Sequence, residues 1–317
     1  MGYRRTLHPA LMFSPEYTKL HDLLLERRKE AAFTLDVSVL RERLTRASLP
    51  AADDIRTDVI NMSGVSAERV VANAADKSRA ILYVHGGGFV MGSPVTHRKL
   101  AGDVSRVTDA TTFVVDYRLG PEHTLPAPID DLLTSYRYLL EHYEPGAIVL
   151  MGDSAGATLV ILLMVRLRSE GLPLPGGAVL VTPWADYGCE DRSYIERAEV
   201  DPVTDVDQLR VYQDWFLGNQ SSTDPAVFPL RADLRGLPPI LIHAGGHDVT
   251  CSDAWRLARR ASDSAVDVSF RYAPGMMHVW HVFAGRVPES TQAMAEVGSF
   301  SRRRFGAASW NSPEALV

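Results

Sequence analysis

A serine hydroxyl at its ordinary pKa is a weak nucleophile. It transfers acyl groups only with a base to take its proton, a carboxylate to orient that base and N–H donors for the oxyanion. The chain carries a candidate for each part. Ser154 stands in Gly152-Asp153-Ser154-Ala155-Gly156, between a short apolar run (147–151) and a longer one (155–165). The first run is β-branched and reads as a buried strand, and the second has the length of a helix. The serine therefore sits on a strand-to-helix turn that holds it strained and exposed. Gly152 and Gly156 flank it where a Cβ would keep strand and helix from closing so tightly. The helix starts at the serine, so its dipole favours an anion formed there. A βα turn with an ordinary capping serine has the same local pattern, and the rest of the chain decides between the two.

For the base, His278 lies in Ala273-Pro274-Gly275-Met276-Met277-His278, just after a strand. His281 is its rival, three residues on. His243 falls inside a strand and reads as a core residue, and His247 reads as a loop residue. A base working near neutrality is expected to titrate between about 6 and 7. For the carboxylate, Asp248 follows the strand 240–244 through Gly245-Gly246-His247. Asp253 reads instead as a helix cap, and the side chain of Asp153 should point away from Ser154. His85-Gly86-Gly87-Gly88 can turn backbone N–H groups inward, and Gly87, Gly88 and Ala155 are the expected oxyanion donors. A flexible loop or a phosphate-binding loop would also use glycines. The latter lacks here both its Lys-Ser/Thr and the spacing of a dinucleotide fingerprint. Phe89, Trp215, Phe216 and Met277, with Met276 and Trp280, are candidates for an apolar acyl or alcohol pocket, and each could equally belong to the core.

These residues need elements to hold them. Residues 1 to 50 carry apolar positions at helical spacing (Tyr17, Leu20, Leu24; Val37, Leu40, Leu44) with charges on the other faces. Residues 55–61 and 68–73 read as two antiparallel strands joined by a turn. Apolar runs near 79–84, 111–117, 147–151, 177–182, 239–244 and 266–272 then alternate with helical patterns. That alternation predicts an α/β fold: a mostly parallel eight-stranded sheet with helices on both faces and reactive groups at the strands' carboxyl ends. Residues 187 to 230 interrupt it with charge, aromatics and some helix. The expected division is N-terminal cap helices at 1–50, core at 51–186, a cap insertion at 187–230 and core again at 231–317. A helix at 252–264 is expected to be capped by Ser252 and Asp253.

Composition excludes several other classes. The 317 residues are 46% hydrophobic and 23% charged, as in an ordinary soluble globular protein. A net charge of -6 gives no broad cationic field for nucleic acid. The two cysteines, Cys189 and Cys251, lack metal or redox spacing and suit a reduced, cytoplasmic setting. The N-terminus shows no continuous apolar segment of a signal peptide. The longest apolar run, 155–165, is too short to span a bilayer, so no stable membrane insertion is expected. No histidine–carboxylate cluster has ligand spacing, and the chemistry needs neither metal nor cofactor.

The chain resembles the hormone-sensitive-lipase-like (family IV) carboxylesterases of the α/β-hydrolase fold. The resemblance runs from about residue 50 onward. It rests on His85-Gly86-Gly87-Gly88-Phe89, Asp116-Tyr117-Arg118-Leu119-Gly120-Pro121-Glu122-His123, Gly152 to Gly156, Pro183-Trp184-Ala185-Asp186, Asp248 and His278. It implies a triad of Ser154, Asp248 and His278, in the chain order of that fold, with the glycine motif as oxyanion hole and a helical cap. It implies a serine esterase for short-to-medium acyl esters. Ala157 stands where the family often has a second glycine. The acid loop, Asp248-Val249-Thr250-Cys251-Ser252-Asp253, is similar to the branch of acetyl-hydrolases and monoterpene lactone hydrolases. A lactone is therefore an alternative substrate, as is an amide or acetyl group cleaved by the same triad. Arg118 and Glu122 are expected to tie a loop under the oxyanion site. Many relatives pair through the last strand, which implies a homodimer.

Overall fold

The computed structural model describes residues 13–221 and 224–306. Residues 1–12 of the N-terminal segment, residues 222–223 of the insertion and the last eleven residues lie outside the described set. Two helices come first, α1 (Pro15–Glu30) and α2 (Val37–Ala47). Ser14 accepts the Tyr17 N–H and Asp36 accepts those of Ser38 and Val39, so each helix starts on a side-chain cap. The expected hairpin follows as β1 (Ile55–Met62) and β2 (Val65–Ala72), antiparallel, with Met62 opposite Val65 across Ser63-Gly64. Then come β3 (Asp76–Val84), α3 (Pro94–Thr108), β4 (Ala110–Val115), α4 (Ala127–Leu140), β5 (Ile148–Asp153) and α5 (Ala155–Ser169). The rest is β6 (Gly177–Val181), α6 (Arg192–Glu196), α7 (Val206–Leu217), β7 (Ile240–Gly245), α8 (Cys251–Asp263), β8 (Val268–Ala273) and α9 (Pro288–Arg304).

The eight strands form one sheet in the order β1-β2-β4-β3-β5-β6-β7-β8. β1, β2 and β4 pair antiparallel, and every pairing from β4 through β3 to β8 is parallel. β5 is buried at all six positions, as a central parallel strand covered on both faces must be. Leu132 of α4, Leu159 of α5 and Leu257 of α8 share one core cluster. Leu100 and Val104 of α3 join Val297 and Phe300 of α9 in another, with Val149 and Met151 from the other face of β5. The sheet is thus sandwiched between helical layers, and its parallel strands deliver their carboxyl ends to one edge.

The two segments outside the βα alternation both reach that edge. The Tyr212 ring of α7 lies against Gly88, and Phe216 stacks on Phe89 at 3.7 Å. Arg41 of α2 donates to the carbonyls of Val90 and Gly120 and pairs with Glu122 at 2.7 Å. Glu122 thus ties the loop outward to α2, while Arg118 grips Asp131 of α4 at 2.8 Å. The tie expected of these two is therefore split between two helices. Tyr17 of α1 donates to the Gly275 carbonyl at 2.5 Å. One local expectation fails at α8. Thr250 holds its N-cap position without a side-chain bond to the helix end. The Asp253 carboxylate instead accepts the N–H groups of Ala185 and Asp186 and the Tyr194 hydroxyl, each at 2.7 Å. A fully buried carboxylate is better satisfied by three outside donors than by its own helix end. No helix among the described residues is long and apolar enough to cross a membrane.

Candidate active site

Ser154 joins β5 to α5 at φ 53, ψ -123. A non-glycine residue in such a region costs about 1–3 kcal/mol, so the surroundings must hold it there. They do so through its backbone: the Ser154 N–H donates to Val181 at 2.8 Å, and its carbonyl accepts from Ala157 at 3.1 Å and Trp184 at 3.3 Å. The glycines close the turn. A Cβ on Gly156 would run into the Val84 carbonyl, and one on Gly152 would strike the Gly156 backbone. Little of Ser154 reaches solvent (8%). Its Oγ makes no hydrogen bond among the described residues. Hydrogen bonds at catalytic groups are often long until substrate binds.

Asp153 points away from the serine, as its place in the turn demands. Its Oδ1 accepts the Tyr83 hydroxyl at 2.7 Å and the Gly86 N–H at 3.1 Å. Burial alone would raise its pKa; His97, 3.5 Å from Oδ2, and the Tyr83 hydroxyl outweigh that and hold it below the usual carboxylate range. The residue beside the serine thereby anchors the glycine loop. In that loop Gly87 and Gly88 adopt φ 115 and 62. A Cβ on Gly87 would meet the Met91 carbonyl, and one on Gly88 the Tyr212 ring. Their N–H groups have no acceptor among the described residues. The Ala155 N–H opens α5, where no intrahelical acceptor exists.

Asp248 and His278 meet as expected. Asp248 is fully buried; its Oδ2 lies 3.0 Å from His278 Nδ1, and its Oδ1 accepts the Thr250 N–H at 2.8 Å and hydroxyl at 2.9 Å. Burial of His278 would lower its pKa, but the charge and hydrogen bond of Asp248, with Asp201 and Asp153 further off, raise it to about 9. That is above the expected range of 6 to 7, chiefly because the Asp248 carboxylate lies against Nδ1. Among the described residues, none of the rival histidines is hydrogen-bonded to a carboxylate, although His243 Nε2 lies 3.6 Å from Glu296 Oε2. His243 is pushed down to about 3, first by burial and then by Arg271. His281, 2.8 Å from His243, is lowered well below 6.5 by burial and that neighbour. His247 is lowered to about 4 by burial, His21 and Arg197.

The four pocket candidates separate. Phe89 and Phe216 are buried in a stack that joins the glycine loop to α7. Trp215 is half-buried beside Tyr212. Met277 packs with Tyr17, Met276 and Trp280 under α1. Among the described residues no three His, Cys, Asp or Glu side chains are placed to hold a metal ion. Sequence reasoning missed Asp201, Ser193 and Tyr17, which all brace the acid and base loops. Asp201 sits in a charge-rich segment without periodicity, and Tyr17 is one of several apolar residues on an ordinary amphipathic helix, so neither carries a local signal.

Known proteins resemble this chain in sequence and in fold. A family model described as the α/β-hydrolase fold matches residues 81–282. An acetyl-hydrolase of Streptomyces hygroscopicus is 37% identical over 250 residues, which cover 78% of this chain and 83% of that protein. Among solved structures, an esterase/lipase from an uncultured bacterium superposes with a TM-score of 0.88 at 37% identity, covering 92% of this chain and 99% of its own. An esterase from the bacterial hormone-sensitive lipase family superposes with a TM-score of 0.87 at 36% identity, covering 93% of this chain and 100% of its own.

Proposed function

From the premise that the chain belongs to the hormone-sensitive-lipase-like carboxylesterases of the α/β-hydrolase fold and is a carboxylic ester hydrolase, we propose that Ser154 is its nucleophile, His278 its base and Asp248 the carboxylate that orients the base. Ser154 Oγ attacks the ester carbonyl carbon, and its proton passes to His278 Nε2. The N–H groups of Gly87, Gly88 and Ala155 receive the oxyanion. The tetrahedral adduct collapses as His278 returns the proton to the departing alcohol, leaving an acyl-serine. Water then attacks that acyl group with His278 as base and releases the acid. The observation that carries this reading is the Asp248–His278 pair, with Oδ2 and Nδ1 3.0 Å apart, on the strand edge where Ser154 is held at φ 53. Because His278 must be neutral to act and its pKa is raised to about 9, kcat/KM should climb on the alkaline side of neutrality.

The substrate reading is a short-to-medium acyl ester. A nearly closed serine and a helix resting on the glycine loop support it, as does the acetyl-hydrolase relative. In this reading 1–50 and 187–230 form a cap, and Phe89, Trp215, Phe216 and Met277 stiffen its wall. A homodimer through β8 fits the terminal place of that strand in the sheet and the Trp255 ring, 51% exposed and 4.3 Å from Phe270. Sizing chromatography tests it. The two free, buried thiols, Cys189 and Cys251, suit a cytoplasmic setting. For the catalytic reading the test is Ser154→Ala assayed on p-nitrophenyl butyrate: turnover should fall by about 10⁴-fold or more, and parental turnover would end the assignment. A matched panel of esters, lactones and anilides then separates the substrate classes.

A further inference from the structure

The insertion buries a second carboxylate beside the acid loop. Asp201 is fully buried and lies just beyond α6. Its Oδ1 accepts the N–H groups of Val203 at 2.8 Å and Thr204 at 3.0 Å, which shapes its own turn. Its Oδ2 reaches across to the core and accepts the Val249 N–H at 3.0 Å. Val249 directly follows Asp248. The Val249 carbonyl is held as well, by the Ser193 hydroxyl at 2.5 Å. Both backbone groups of the residue after the acid are therefore bonded to the insertion, and none of this grip comes from the sheet that supplies Asp248. The insertion is held in turn by α1: Arg28 donates to the carbonyls of Ala198 and Asp201, and His21 Nε2 lies 2.9 Å from the Val200 carbonyl.

We propose that Asp201 is a positioning residue of the triad, holding the Asp248 loop through Val249 and placing a second negative charge behind the Asp248–His278 pair. The proposal rests on His278 being the base. Burial, and next the charge of Asp248, raise the Asp201 pKa to about 6, and the charge of His278 opposes them. Asp201 in turn helps to raise that of His278. The groups facing Asp201 are Asp248 and His278 on the core loops, Tyr17 and Arg28 on α1, and Arg197, whose carbonyl accepts the Asp201 N–H; His21 of α1 sits one residue away, on the Val200 carbonyl. His247 and Cys251 flank Asp248 in sequence; burial chiefly lowers the pKa of the His247 ring and raises that of the Cys251 thiol. Of these, Asp201 and Asp248 are the carboxylates, and only Asp248 touches the imidazole. Asp201 acts on the ring through space and through the loop.

The experiment titrates the His278 ring by NMR in the full-length enzyme, parent and Asp201→Asn, alongside the pH profile of kcat/KM on p-nitrophenyl butyrate. Loss of the buried charge should move both the ring titration and the acid limb down by about one pH unit. Asp201→Glu keeps the charge and strains the turn; it should leave the limb in place while kcat falls. Arg28→Ala loosens the seat of the insertion without removing the carboxylate, so it should lower Tm and not shift the limb to acid. An Asp201→Asn ring that titrates where the parent's does overturns the proposal, whatever happens to activity. If that variant does not fold, an Asp201→Glu limb displaced to acid overturns it equally. Reaction of the parent with an organophosphonate is followed in parallel: absence of a Ser154 adduct would sink the catalytic reading, whereas a normal adduct with an unmoved ring titration would sink the role of Asp201 alone.

Discussion

The serine side and the acid–base side of the site are held by different kinds of structure. Ser154 is fixed mostly by its own turn, with Val181 and Trp184 of the next strand and loop bonding its backbone. Two flanking glycines let strand and helix close, Asp153 turns to the glycine loop, and the helix begins one residue on. Asp248 and His278 are fixed from far away. The Asp248 loop is gripped by Ser193 and Asp201 of the insertion, and the His278 loop by Tyr17, 258 residues from Gly275 in sequence. A nucleophile needs one strained backbone conformation, which a short motif can specify. An imidazole needs an orientation and a charge state, which depend on whatever packs behind two loops. The first requirement is mostly local and the second is mostly tertiary.

Substitutions on the two sides should therefore fail differently. The largest effect on the acid–base side is Asp248→Asn, which keeps an acceptor for Thr250 but presents the wrong partner to His278 Nδ1. Its kcat should drop by about 10⁴-fold while the fold persists, and a loss under tenfold would break the claim that the pair acts as a unit. On the serine side, Gly156→Ala should act through folding. The new Cβ would meet the Val84 and His85 carbonyls, backbone that cannot yield as a side chain would. A loss of about 3 kcal/mol in denaturant unfolding is expected, and parental stability would show that the elbow is looser than its geometry implies. The smallest effect should be Tyr17→Phe. It removes one buried hydrogen bond to the Gly275 carbonyl, worth about 1–3 kcal/mol where the acceptor stays unsatisfied. Its signature should be a lowered kcat with Ser154 still reactive toward phosphonate. Equal loss of both would merge the two regions into one.

The same contrast explains what could be read in advance. Alternating apolar runs specified the strands and helices, and glycine spacing specified the elbow and the glycine loop. His278 and Asp248 were legible because each follows a strand and so must emerge at the reactive edge. The sheet order, with β4 outside β3, follows from crossover geometry that no single run encodes. Asp253 looks like a cap because its position is right for one; the donors that claim it sit 59, 67 and 68 residues earlier. Asp201 and Tyr17 matter through partners that only the folded chain brings near. Asp248 raises the His278 pKa most, and the smaller addition from Asp201 carries no local signal in a polar insertion with many acids.

The central claim is that one serine, strained at the end of β5, forms the covalent intermediate. Intact-mass and peptide-mass analysis after incubation with an organophosphonate tests it most directly. The parent should gain one adduct, on the peptide containing Ser154, in step with loss of activity on p-nitrophenyl butyrate, and Ser154→Ala should gain none. An adduct on another residue that tracks the loss of activity, or full activity after complete labelling of Ser154, would contradict it.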